Sequence, residues 1–158
     1  MSLKVASMLP TLDGATEWLN GEAHHEELVN SPLLIQFWAV SCPVCKRNMP
    51  SVQAWKEMYG PLGVQFVSVH MPRMSGDTDV EKVRTAIREL GVTEPCAIDN
   101  EHKIGDRFQT SGYWPYYFLF DSAGAMRCHA PGPMGLRLAE NALKRLLGLQ
   151  QTQEGAEV

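Results

Sequence analysis

The sequence has little cysteine, no long apolar run and no cluster of basic residues, and each shortage removes a class of protein. Four cysteines in 158 residues are too few for a fold stapled by disulfides. A chain of this length can bury a core without staples or a structural metal. No stretch of 18 apolar residues occurs, so the pattern contains no transmembrane helix. Lysine and arginine number 14 against 18 aspartates and glutamates, a net charge of −4. The basic residues form no stripe, which discounts nucleic acid as a partner. The opening MSLKVASMLPTLDG lacks the charged start, apolar centre and small-residue cleavage site of a signal peptide. As written, the chain reads as cytoplasmic. An extracytoplasmic location would require that a leader or anchor has been removed. There is no internal repeat.

What is present is a globular profile, 44% hydrophobic and 20% charged, with one domain's worth of length. Residues 1–13 read as an irregular lead-in, 14–148 as the domain, and 149–158 as a polar, disordered tail. SPLLIQFWAV (31–40) and VQFVSVH (64–70) read as strands buried on both faces. Pro43 to Tyr59 reads as a helix stopped by Gly60–Pro61. Asp77, Thr78 and Asp79 offer N-cap oxygens for a helix over 80–90, and Gly91 sits where its C-terminal cap belongs. PCAID (95–99) is a short strand and HKIGDRFQ (102–109) a weak helix. YYFLF (116–120) and RCHA (127–130) flank the turn DSAG, which predicts a hairpin, and an amphipathic helix closes the domain over 135–148. Strands alternating with helices imply an α/β fold with a mainly parallel sheet, to which the hairpin adds antiparallel strands.

Cys42 and Cys45 lie in QFWAVSCPVCKRNMP, between a strand and a helix. Cys42 falls near the N-cap, where free backbone N–H groups and the helix dipole favour a thiolate. Pro43 suits the first helical position because its missing N–H would have no partner there. Cys45 lies about one turn in, within reach of Cys42. This arrangement suits reversible disulfide exchange, with Cys42 attacking and Cys45 resolving. Half a zinc site and two inert core cysteines are the competing readings. Zinc wants about four ligands, and Cys96, Cys128, His24, His25 and His70 are scattered.

FWAVSCPVCKRNMP, with Pro50 five residues after the second cysteine, resembles the active-site segment of the thioredoxin superfamily. The layout resembles its TlpA/ResA-like branch, with ATEWLNGEAHHEEL as a lead-in hairpin region and an inserted helix before PCAID. The resemblance implies a thioredoxin-like fold, a central mixed β-sheet flanked by helices on both faces. It implies a cis-proline at Pro115, with Trp114 and Tyr113 shaping a substrate groove; for Trp114 the alternative is simple core packing. Pro43, Val44 and Trp38 would support the dithiol. Thioredoxins carry an aspartate six residues before the first cysteine, where this chain has Gln36. ResA-like proteins often carry a glutamate three residues after the second, where it has Asn48. Amides cannot take a proton at neutral pH. Proton transfer at Cys45 would then fall to water or to another group such as His70, at the end of the second strand.

The resulting expectation is a thiol–disulfide oxidoreductase acting on protein disulfides or dithiols. It would need an upstream thiol donor and no cofactor or metal, because two sulfurs carry both electrons. The alternative is a metal-handling or partner-binding module on the same fold. A peroxidase would place threonine three residues before its cysteine, where this chain has Ala39. Cys96 and Cys128 read as inert strand cysteines, with a second disulfide between them as the minority reading.

Overall fold

A computed structural model describes residues 3–149; apart from Leu149, the polar tail expected over 149–158 lies outside the described residues. The elements run β1 (Glu17–Leu19), α1 (His25–Leu28), β2 (Leu33–Trp38), α2 (Pro43–Tyr59), β3 (Gln65–His70), α3 (Val80–Leu90), β4 (Cys96–Ile98), α4 (Lys103–Phe108), β5 (Tyr116–Phe120), β6 (Met126–Pro131) and α5 (Gly135–Leu146). The strands form one sheet in the order β1-β4-β3-β2-β5-β6. The central strands β2, β3 and β4 run parallel. The flanking strands β1, β5 and β6 are antiparallel to their neighbours. This is the mixed α/β sheet of a thioredoxin-like fold. Among the described residues no helix is long and apolar enough to cross a membrane.

All six residues of β2 are buried, which is why its sequence shows no polar alternation. Leu33, Ile35 and Phe37 pack on one face with Leu28 of α1 and Ile104 and Phe108 of α4. On the other face Leu34 meets α2 and α5 through Val52, Trp55 and Leu143. Further along that face Trp38 meets Met49 of α2 and Val83 and Ile87 of α3. The lead-in is irregular but anchored: Leu9 and Leu12 join the α4-side core, and Met8 bridges to Ala125.

The hairpin turn at 121–124 forms as expected, with Asp121 Oδ1 accepting from the Ala123 and Ala125 N–H groups. The lead-in does not form a hairpin. Its one strand, β1, pairs with β4 some eighty positions away in sequence; three residues at a sheet edge show no period to read. Helix α2 continues through Pro50 without ending, although the ring removes the donor for one carbonyl in the preceding turn.

Of the three N-cap oxygens offered for α3, only Asp79 is used, its Oδ1 accepting from Glu81 N–H at 3.0 Å. Gly91 closes the helix at φ +72°, a left-handed conformation that glycine adopts without a Cβ penalty. Replacing Asp79 by Ala is expected to cost about 1 kcal/mol. Urea unfolding at neutral pH would show this as a lower midpoint with an unchanged slope.

Cys96 and Cys128 are both free. They sit on β4 and β6, with β3, β2 and β5 between them. Four strand spacings put them roughly 19 Å apart, far beyond the Cα separation of about 7 Å that a disulfide can bridge. The second disulfide is therefore excluded by sheet order.

Candidate active site: the Cys42–Cys45 pair

Strand β2 ends at Trp38, and the turn Ala39–Ser41 delivers Cys42 to the N-cap of α2. Cys42 has extended backbone angles, φ −98° and ψ 106°, and its Sγ accepts the Cys45 N–H at 3.1 Å. Pro43 occupies the start of the helix. Cys42 and Cys45 form a disulfide, with Cα atoms 5.3 Å apart. Both are buried, at 2% and 1% exposure, so accessibility does not tell them apart. The backbone does, because the first-turn N–H points at Cys42. Pro43 is exposed and Val44 half-buried beside it.

The Trp114–Pro115 peptide bond is cis. Pro115 is buried, and its carbonyl accepts the Gly132 N–H at 2.7 Å. Trp114 is half-buried. Its indole Nε1–H donates to the Met71 carbonyl at 2.7 Å, and its ring packs against the cluster that holds Cys42 and Cys45. Tyr113 is 54% exposed. Trp114 is thus fixed by packing and a hydrogen bond, while Tyr113 is open to solvent.

His70 is fully buried at the end of β3, edge-on to Trp38 with ring centroids 5.0 Å apart. Its Nε2 accepts the Val40 N–H at 3.0 Å. Burial pushes its pKa down to about 4, against a smaller upward pull from Asp77. At neutral pH the ring is uncharged, its Nε2 engaged as an acceptor and its proton on Nδ1.

The two amides at expected carboxylate positions are also engaged. Gln36 is buried and its Nε2 donates to Met49 Sδ at 3.1 Å. Asn48 Nδ2 donates to the Tyr117 hydroxyl at 3.2 Å. Burial pushes the Tyr117 phenol up to about 12, so it stays protonated.

Sequence reading missed Ser41, Arg73 and Asp77. Asp77 is buried rather than capping α3. Its Oδ2 accepts from the Ser41 hydroxyl at 2.7 Å, Arg73 N–H at 2.9 Å and Met74 N–H at 3.1 Å. Burial alone would raise its carboxyl, but these bonds bring it below the ordinary value. Arg73 Nη2 donates to the Ser41 carbonyl at 2.9 Å. The only signal available was the acidic run itself, which a helix cap explained equally well. A groove of about 540 Å³ lined by Val40, Ser41, Lys46, Asp77 and α3 residues opens beside this turn. Among the described residues no group of three or more His, Cys, Asp or Glu side chains is arranged to hold a metal ion.

The profile of the AhpC/TSA family matches residues 8–129. The chain belongs to this family. Among its relatives, the thiol-disulfide oxidoreductase YkuV of Bacillus subtilis (strain 168) is 36% identical over 146 residues, covering 92% of this chain and 97% of that protein. The thiol-disulfide oxidoreductase ResA of Geobacillus kaustophilus (strain HTA426) is 25% identical over 119 residues, 73% of this chain and 64% of ResA. A solved thioredoxin-like protein in its oxidised form superposes with a TM-score of 0.84 at 35% identity, covering 92% of this chain and 98% of that one. The resemblance to thiol–disulfide oxidoreductases of the thioredoxin superfamily holds over nearly the whole chain. With its disulfide-bonded Cys-Pro-Val-Cys motif, this family member is a thiol–disulfide oxidoreductase.

Proposed function

We propose that the protein reduces disulfides in partner proteins, with Cys42 as the nucleophile and Cys45 as the resolving thiol. The Cys42 thiolate attacks one sulfur of a substrate disulfide, forms a mixed disulfide and releases the other sulfur as a thiolate. Cys45 loses its proton to water and attacks Cys42 Sγ, closing the bond seen here and releasing the second substrate thiolate. Two electrons pass to the substrate, and an upstream thiol donor must return them. The extended chain of the substrate lies along Trp114–Pro115, between Tyr113 and Val44. The observation that carries the assignment of roles is the Cys45 N–H donated to Cys42 Sγ, a bond that strengthens when the acceptor sulfur is charged.

The direction follows from what stabilises the thiolate. A strongly oxidising dithiol is one whose reduced form is stabilised by a very acidic cysteine. Here the two intervening residues are Pro43 and Val44, which carry no charge, and His70 is neutral. The Arg73 guanidinium and the Asp77 carboxylate both bind Ser41 and offset each other. The start of helix α2 is then the main support for the thiolate, and the disulfide is not driven open. Equilibration with thiol buffers, with Cys96 and Cys128 replaced by Ser, is expected to give a reduction potential near or below about −250 mV. A value above about −180 mV would assign an oxidant or isomerase instead.

A further inference from the structure

The turn that carries Cys42 is fastened at several of its polar groups. Cys42 N–H closes onto the Ala39 carbonyl at 3.0 Å. Val40 N–H goes to His70 Nε2 at 3.0 Å. The Ser41 carbonyl takes Arg73 Nη2 at 2.9 Å, and the Ser41 hydroxyl goes to Asp77 Oδ2 at 2.7 Å. The anchors come from outside the turn, His70 from the end of β3 and Asp77 from the 3-10 turn Ser75–Thr78.

His70 is an odd choice for a core filler. It is fully buried, and its Nδ1 reaches no hydrogen-bond partner in another residue. A buried polar atom without a partner costs stability, whereas an apolar side chain of similar volume would avoid that cost. The imidazole gains one thing a hydrocarbon cannot supply, an acceptor for Val40 N–H. Because the ring is neutral, it brings that acceptor without placing a charge beneath the dithiol.

We propose that His70 is a positioning residue for Cys42, holding the turn before it through Val40 N–H while Asp77 holds the same turn through Ser41. The inference rests on Cys42 being the attacking sulfur. With both anchors in place, Cys42 Sγ stays over the first-turn N–H groups of α2, where a thiolate is favoured. If the His70 acceptor is lost, Val40 N–H must seek a new partner. The turn shifts, and the sulfur leaves the cap.

The test is the pH dependence of iodoacetamide alkylation of the reduced protein, with the modified cysteine assigned by mass spectrometry and urea unfolding measured alongside. In the unsubstituted protein alkylation should fall on Cys42. His70→Leu keeps the volume and removes the acceptor. Its Cys42 alkylation at pH 7 should drop about tenfold, as the profile moves about one unit higher. His70→Gln restores an acceptor near Nε2 and should stay within about threefold of the unsubstituted rate. Ser41→Ala removes the second anchor at a half-buried position and should slow alkylation about threefold. Unchanged profiles for folded His70→Leu would overturn the proposal, as would equal displacement of the Leu and Gln variants. Should His70→Leu not fold, an unshifted Ser41→Ala profile would discard the anchored-turn account on its own. Alkylation of Cys45 in place of Cys42 in the unsubstituted protein is a separate failure, because it would sink the assignment of roles before any variant is compared.

Discussion

Cys45→Ser, mixed with oxidised insulin as a disulfide-bearing probe, is expected to accumulate a one-to-one mixed disulfide that a non-reducing gel resolves and added thiol disperses. Cys42→Ser should form no such adduct, and its turnover should fall to background, roughly a thousandfold or more. The asymmetry comes from the helix start. Cys42 is the sulfur that receives the Cys45 N–H, so it is the one able to exist as a ready thiolate. Cys45 sits inside the first turn, where no equivalent donor is aimed at it. No other thiol can substitute. Burial pushes the Cys96 thiol up to about 11, and Cys96 has no exposed surface. Cys128 is half-buried, raised by burial as well, and stands on β6 against α5 rather than beside the pair. If instead Cys42→Ser trapped the adduct and Cys45→Ser did not, the roles would be reversed.

Local chemistry was readable in the sequence, and long-range chemistry was not. The apolar run 33–38, the cysteine at a helix start and proline at the next position are all contiguous, and they specify the strand-to-helix junction. Helix α3 was legible for the same reason: Asp79 and Gly91 bracket its apolar period. The cis bond at Pro115 came from family resemblance, not from any property of the tripeptide. What escaped were pairings across the fold. Ser41 meets Asp77 across 36 positions and Val40 meets His70 across 30. Nothing near Asp77 in sequence distinguishes a buried carboxylate from a solvated cap. His70 ends a strand at a boundary where exposed and buried histidines look alike, and only the sheet order places β3 beneath the motif. Gln36 and Asn48 were singled out for what they are not. Their actual partners, Met49 Sδ and the Tyr117 hydroxyl, lie respectively on α2 and on β5.

Between pH 7 and pH 4 the folded state should lose about 3 kcal/mol of stability through His70 alone. Its pKa in the folded protein is depressed from 6.5 to about 4 by burial. Over that interval the unfolded chain binds a proton that the folded protein refuses, so acidification favours unfolding. The contribution is complete above about pH 6.5 and is lost as the pH falls towards 4. Two carboxyls on neighbouring elements act differently. Asp77 faces His70 and titrates below the ordinary carboxylate value, so its contribution disappears at more acidic pH than this window. Asp99 is raised by burial, and its protonation favours the folded state as the pH falls, opposing His70 at the acidic end. Urea unfolding at several pH values, on the unsubstituted protein and on His70→Gln, separates these terms because only His70 differs. The substituted protein should show a shallower fall by about 3 kcal/mol. Parallel curves would mean that the imidazole takes up its proton in the folded state as easily as in water. That would contradict an acceptor at Nε2, since a protonated ring has no lone pair left for the Val40 N–H. Acid sensitivity and the anchoring of the Cys42 turn therefore depend on the same nitrogen.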